Sequence, residues 1–328
     1  MITLESRDSY IWNFAEKIIE IIKESQYTEK IIISMNQEGP CLRSCGLYDF
    51  LDLICDNFEI KKSRFEIYTA NVEEFHNEYQ ICIVPNVWLG EIKKHSAQVA
   101  TKQSNLIPIG CFVGKVNWSR LLLLSWLDKF PNKSILTCHY NAEDLTSQSA
   151  LQLNEIAKEF PQELQSVAQF IDTCPRLTTD PVIPYHQLRN LNLEQIANIS
   201  AAMITNYDKI FCELICETYF SGFTFFPTEK TFRPIQQLTP FVIFGPVGFL
   251  ENLKRIGFKT FDRWWDESYD TCSAAERISK IQTVLLQLFQ YSKTELNTMY
   301  QDMQPVLMHN KQRLAKLQPV ELLFDEQR

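Results

Sequence analysis

Glycine is scarce in this chain, at 9 of 328 residues, against an average usage of about 7%. No GxGxxG and no GxxxxGK[ST] occurs, so the glycine-rich loops that cradle phosphates in many nucleotide-binding proteins are excluded. No Asp-x-Asp occurs either, which removes the simplest way to present two carboxylates to a divalent metal on a nucleotide diphosphate. No apolar run approaches about 18 residues, the length of a spanning helix. Basic residues are in deficit: 32 Lys and Arg against 40 Asp and Glu leave a net charge of −8, which argues against a general nucleic-acid or anionic-membrane surface. A small anion in a local basic pocket stays open, because such a pocket needs only two or three cations. The opening residues from Met1 to Asp8 lack the charged start and apolar core of a signal peptide, so a cytoplasmic protein is expected.

What is present is the composition of a globular chain with a real core, 45% hydrophobic and 22% charged. At this length two lobes are the natural expectation. The ten cysteines have no framework spacing and read as reduced core thiols. Cys41/Cys45 and Cys212/Cys216 have metal-compatible gaps but no second pair or histidines nearby, so no metal site is expected.

Apolar spacing alternates between strand and helix along the chain. Ile31-Ile32-Ile33, Phe65 to Thr69 and Ile81 to Val84 read as strands, with a helix over Leu47 to Phe58. A second rhythm starts at Ile107, with strands at Ile109 to Gly114 and Ser134 to His139 around an apolar helix from Ser119 to about Phe130. Ile210 to Tyr219 is apolar with two embedded carboxylates, Glu213 and Glu217. Thr228 to Leu238 reads as a helix, Pro240 to Pro246 as a strand, and Phe249 to Ile256 as a short helix closed by Gly257. Glu276 to Leu317 is helical, as two helices. Strands alternating with helices imply parallel βαβ units and an α/β fold. The expected organisation is an amino-terminal lobe over 1–105, a second lobe over 106–285, and a helical segment over 286–328 packing back on the lobes.

Ligands of open α/β sheets sit at the carboxyl ends of strands, and three such loops carry charge. In Lys115 to Arg120 a cation opens a helix, where the helix's own positive end disfavours it unless an anion shares the space. In Phe226 to Pro234, Thr228 and Glu229 are explained by helix capping, whereas Lys230 and Arg233 read as first-turn cations that helix energetics do not explain. A Glu beside a Lys here can hold ribose hydroxyls and phosphate oxygens respectively. In Asn36 to Gly39, Glu38 can act as a general base if it faces the cleft, or it is a surface turn. The five histidines form no cluster, and His139 alone is kept as a weak candidate. Trp264-Trp265 reads as packing.

Two stretches, Pro227-Thr228-Glu229-Lys230-Thr231-Phe232-Arg233-Pro234-Ile235 and Pro240-Phe241-Val242-Ile243-Phe244-Gly245-Pro246, resemble the donor-binding segment of the α-1,3-fucosyltransferase-like family. Phe112-Val113-Gly114 with Arg120 resembles that family's strand, loop and arginine. A related set of uncharacterised bacterial and phage proteins shares Gly257-Phe258-Lys259-Thr260-Phe261 and Trp265-Asp266-Glu267-Ser268-Tyr269-Asp270. The match covers about 107–140 and 210–285. The resemblance implies a GT-B fold of two Rossmann-like lobes with parallel sheets and C-terminal helices. It also implies metal-independent, inverting transfer from a nucleotide sugar to an acceptor hydroxyl, with no cofactor. Arg120, Thr228, Glu229 and Lys230 sit on motif positions, and Lys115 and Glu217 are looser placements. Phe226-Pro227 and Gln236-Gln237-Leu238 depart from the pattern, which leaves the sugar, and a GDP-linked or other base, open. The expected partners are the nucleotide sugar and a glycan, small-molecule or protein acceptor. The alternative is a protein that keeps the fold for binding or scaffolding without catalysis.

Overall fold

The computed structural model of the protein describes residues 2–5, 18–20, 23, 30–35, 39–84, 99, 101–113, 117–138, 154, 156–173, 206–318 and 321. Two parallel four-stranded sheets form the frame. The first holds β1 (Ile2–Glu5), β2 (Ile31–Met35), β3 (Phe65–Thr69) and β4 (Gln80–Ile83) in sequential order. Between β2 and β3 runs helix α1 (Leu47–Phe58), whose apolar face carries Leu47, Phe50, Leu51 and Ile54 into the core. Ile31, Ile33, Phe65 and Ile67 meet that face.

The second sheet holds β5 (Ile107–Val113), β6 (Ser134–Cys138), β7 (Ile210–Cys216) and β8 (Phe241–Phe244), in the order β6-β5-β7-β8. All seven residues of β7 and all four of β8 are buried. A strand covered on both faces loses the apolar/polar alternation of a half-exposed one, which is why these segments read as continuous apolar runs. Helices α2 (Trp118–Leu127), α3 (Leu164–Thr173), α4 (Glu229–Gln236) and α5 (Phe249–Arg255) accompany this sheet. The two helices expected at the carboxyl terminus are α6 (Ala274–Gln290) and α7 (Lys293–Lys316).

Helix α7 packs on α4 and β7. Asn310 pairs both backbone groups of Lys259, Arg313 donates to the Ile256 carbonyl, and Tyr300 donates to that of Leu238. Trp265 is buried in the same core beside Phe261, and Trp264 donates to Asp302. The tryptophan pair is therefore packing, as its sequence context suggests.

The strand orders position the site. The chain leaves β5 to one side to build β6 and returns to the other side to build β7. Such a reversal splays the following loops apart and leaves a crevice beyond the carboxyl ends of the two strands. The sequential order of the first sheet has no such reversal among its described strands. Among the described residues, no helix is long and apolar enough to cross a membrane.

Candidate functional site

Two loops border the reversal, one after β5 and one after β7. Asn117 joins them: its side-chain amide donates to the Thr218 carbonyl at 3.2 Å, while its oxygen caps α2 by accepting from Arg120 N at 3.0 Å. Arg120 folds inward rather than toward solvent. Its guanidinium is buried, and Nη2 donates to the Cys216 carbonyl at the end of β7, at 3.1 Å. An apolar environment alone would reject this cation, and the carbonyl dipoles at a strand's carboxyl end partly compensate it.

Glu217 follows β7 directly and is buried. Its carboxylate accepts from Thr228 N at 3.4 Å, from Thr228 Oγ1 at 2.9 Å and from Thr231 Oγ1. Thr228 in turn caps α4 by accepting from Lys230 N at 3.3 Å. One buried carboxylate thereby fixes the first turn of α4 against the end of β7. On that turn Lys230 Nζ lies 2.7 Å from Glu229 Oε1 and 3.3 Å from Thr228 Oγ1. The Glu229 side chain is 41% exposed and that of Lys230 16%, so this pair faces solvent while its support does not. Burial of Glu229 alone would raise its pKa, but the Lys230 ammonium outweighs it and brings the carboxyl to about 2. The Glu229 carboxyl is therefore ionised across the whole physiological range.

Arg233 departs from the sequence expectation. It lies in the last turn of α4 rather than the first, and its charge has a protein partner. Nη2 donates to Glu213 Oε1 at 2.8 Å, Nε to Tyr207 Oη at 2.6 Å, and Tyr207 donates to Glu213 Oε2 at 2.5 Å. Burial pushes the Glu213 carboxyl up, and Arg233 opposes it. This triad explains Arg233 as structure, three to four residues along the helix from the solvent-facing pair.

The next strand ends in a site that is already filled. Asp270 comes back from the following loop and accepts from Leu250 N and Glu251 N at 2.9 and 3.1 Å, taking the positive end of α5 for itself. Buried Arg277 donates to the carbonyls of Phe220, Gly245 and Cys272. An anion at the carboxyl end of β8 would have to displace both. Neither residue announces itself in sequence, because the partners lie far along the chain.

The carboxyl ends of the two sheets meet. Asn71, fully buried after β3, donates to the Phe223 carbonyl at 3.1 Å and accepts from Phe225 N at 3.1 Å. Thr224 donates to the Gly39 carbonyl, and a Cβ on Gly39 would lie 2.8 Å from Phe226. Gly222, at φ +79°, would place its Cβ 2.4 Å from Ser44 Oγ. The stretch 220–226 is thus clamped against the first lobe immediately before Thr228.

Glu38, Lys115 and His139 lie outside the described residues. Of the other expected site residues, Arg120, Glu217, Thr228, Glu229 and Lys230 gather around the carboxyl end of β7, and Arg233 faces away from that group into its own triad. Among the described residues no group of three or more His, Cys, Asp and Glu is placed to hold a metal ion. No family model matches the chain, and no curated protein matches it.

Proposed function

We propose that the protein is a metal-independent glycosyltransferase of GT-B type that moves a sugar from a nucleotide-sugar donor to an acceptor hydroxyl. The reading is carried by one observation: the solvent-facing Glu229–Lys230 pair at the amino end of α4, held by buried Glu217 beside the strand-order reversal. A rigid support under a charged pair is what binding a charged ligand requires, since little ordering cost remains at the moment of binding. Lys230 and the backbone of the first α4 turn would take the diphosphate, and Glu229 the ribose hydroxyls. Departure of the diphosphate would rely on these cations and dipoles, because no Asp-x-Asp is present to recruit a metal. Arg120 would tune the crevice floor through the end of β7 rather than touch the donor. Inversion would follow if the acceptor hydroxyl attacks the face opposite the diphosphate.

Calorimetric titration with a panel of GDP-, UDP-, CDP- and dTDP-linked sugars tests the reading. One donor should bind, and Lys230→Ala should weaken it about 10- to 100-fold, the loss expected of one charge-assisted phosphate contact. Binding of no donor, together with no release of nucleoside diphosphate, would sink it. A second reading, a fold kept for binding without catalysis, is favoured by the internal pairing of Arg233 with Glu213. Tight donor binding without transfer or hydrolysis would select it.

A further inference from the structure

The loop between β3 and β4 lies outside the sheet ladder, and two side chains satisfy its backbone instead. Near its start Asn71 Oδ1 accepts from Glu73 N at 3.1 Å. Near its end His76 Nδ1 accepts from Glu78 N at 3.1 Å and from Tyr79 N at 3.3 Å. A backbone N–H can only donate, so Nδ1 carries no proton and the ring is the neutral tautomer protonated at Nε2. A proton added to Nδ1 would point an N–H at two other N–H groups and remove both bonds at once. The half-buried ring is held in place by Tyr48 and Tyr79, at 4.3 and 4.9 Å between ring centres.

The same loop joins the lobes. Asn71 donates to the Phe223 carbonyl and accepts from Phe225 N, both at 3.1 Å, and Glu73 Oε1 accepts from Arg255 Nη1 at 3.1 Å. Glu74 ties it to the first lobe by accepting from Leu42 N at 2.9 Å and Tyr48 Oη at 2.8 Å. One end of the loop therefore grips the second lobe while the other end is shaped by an acceptor that can titrate.

We infer that His76 is a proton-sensitive latch on the contact between the lobes: the neutral ring holds 71–79 in the shape that grips Phe223 and Phe225, and protonation releases that grip. The latch does not depend on which ligand the protein takes. Among the described residues, the groups facing the ring are Arg43 from the turn before α1, Tyr48 and Asp52 from α1, Lys62 from the turn before β3, and Glu78 and Tyr79 from its own loop. Burial disfavours the charged ring, the charges of Arg43 and Lys62 add to this, and Glu78 and Asp52 oppose it. Those two carboxylates are already engaged by Lys62, each at 2.8 Å, and the ring's pKa lies below the ordinary 6.5. A base depressed in the fold contributes stability that is complete above pH 6.5 and is lost as pH falls through the lower folded value. Burial raises the Glu74 carboxyl, so it too gains a proton in acid and must be separated from His76.

Hydrogen-exchange protection of the Tyr79 and Phe225 amides, followed from about pH 8 to about pH 5 beside an NMR titration of the His76 ring, makes that separation. In the parent both amides should stay protected above pH 6.5 and lose protection about 10-fold as His76 protonates, the effect of a lost hydrogen bond. His76→Asn keeps an acceptor for the amide two residues on, as Asn71 does, but cannot titrate; it should retain protection of both amides across the range. His76→Ala should show the low-pH behaviour at every pH. Equal loss of Phe225 protection in His76→Asn would hand the effect to Glu74 and sink the assignment. Two results on the parent alone would sink it as well, should His76→Asn fail to fold: a His76 ring titrating at or above 6.5, or a Tyr79 amide that opens in acid while Phe225 stays protected.

Discussion

Glu213 and Glu217 stand four residues apart, on β7 and just past it, and both are buried. They do opposite work. Among the described residues Glu217 accepts neutral donors from the turn that carries Lys230, and so gives the site its rigidity. Glu213 neutralises Arg233 and makes a helix face compatible with the sheet. Replacing Glu213 by Gln should destabilise the protein by about 2–3 kcal/mol in urea unfolding, because a guanidinium would lose its counter-charge. The figure lies below that of a fully buried pair, since the Arg233 side chain is 24% exposed. Sequence marked Arg233 as a cation without a partner because its partner is 20 residues away on another element. It marked Thr228 correctly as a cap, because a cap's partner is two residues away.

At the scale of elements, three helices start at the carboxyl edge of the second sheet, and each start is closed differently: Asn117 for α2, Thr228 for α4, the returning Asp270 for α5. The first two caps are local and readable from residue type. The third requires the loop of 257–272 to travel back along α5. Gly257 begins that return at φ +86°, a backbone region that suits glycine, and it is visible in sequence as the stop of α5.

Within the returning loop, buried Glu267 accepts from Phe261 N at 2.7 Å and has Lys254 at 3.8 Å. Burial raises its carboxyl to about 7 against these opposing contacts and reinforced by Asp262. A carboxyl raised in the fold binds protons more tightly there than in the unfolded chain. Its contribution to stability is therefore complete below pH 4.5 and declines as pH rises through about 7. Glu267→Gln removes that dependence. The variant should match the parent at pH 4 and exceed it at pH 8 by up to about 3 kcal/mol, measured as the difference in urea midpoints across the pH series.

For the whole molecule, the contact between the lobes decides which loops can cooperate. Asn71 satisfies Phe223 and Phe225 of the second lobe and Glu74 of the first. Asn71→Ala should destabilise by about 2–3 kcal/mol, since buried backbone groups lose their partners. It should also separate the unfolding of the lobes, so that calorimetric and van't Hoff enthalpies agree for the parent and diverge for the variant. Agreement in both would show that the lobes are joined by other means.

The α/β class, the parallel βαβ rhythm, the helix ends at Thr228 and Gly257 and the two closing helices were all determined by sequence alone, because hydrophobic periodicity and capping act over a few residues. The order β6-β5-β7-β8, the inward turn of Arg120, the partner of Arg233 and the meeting of Asn71 with Phe223 and Phe225 were decided only by tertiary structure. Each depends on groups brought together from 20 to more than 100 positions apart, and side-chain type does not record which distant partner will satisfy it.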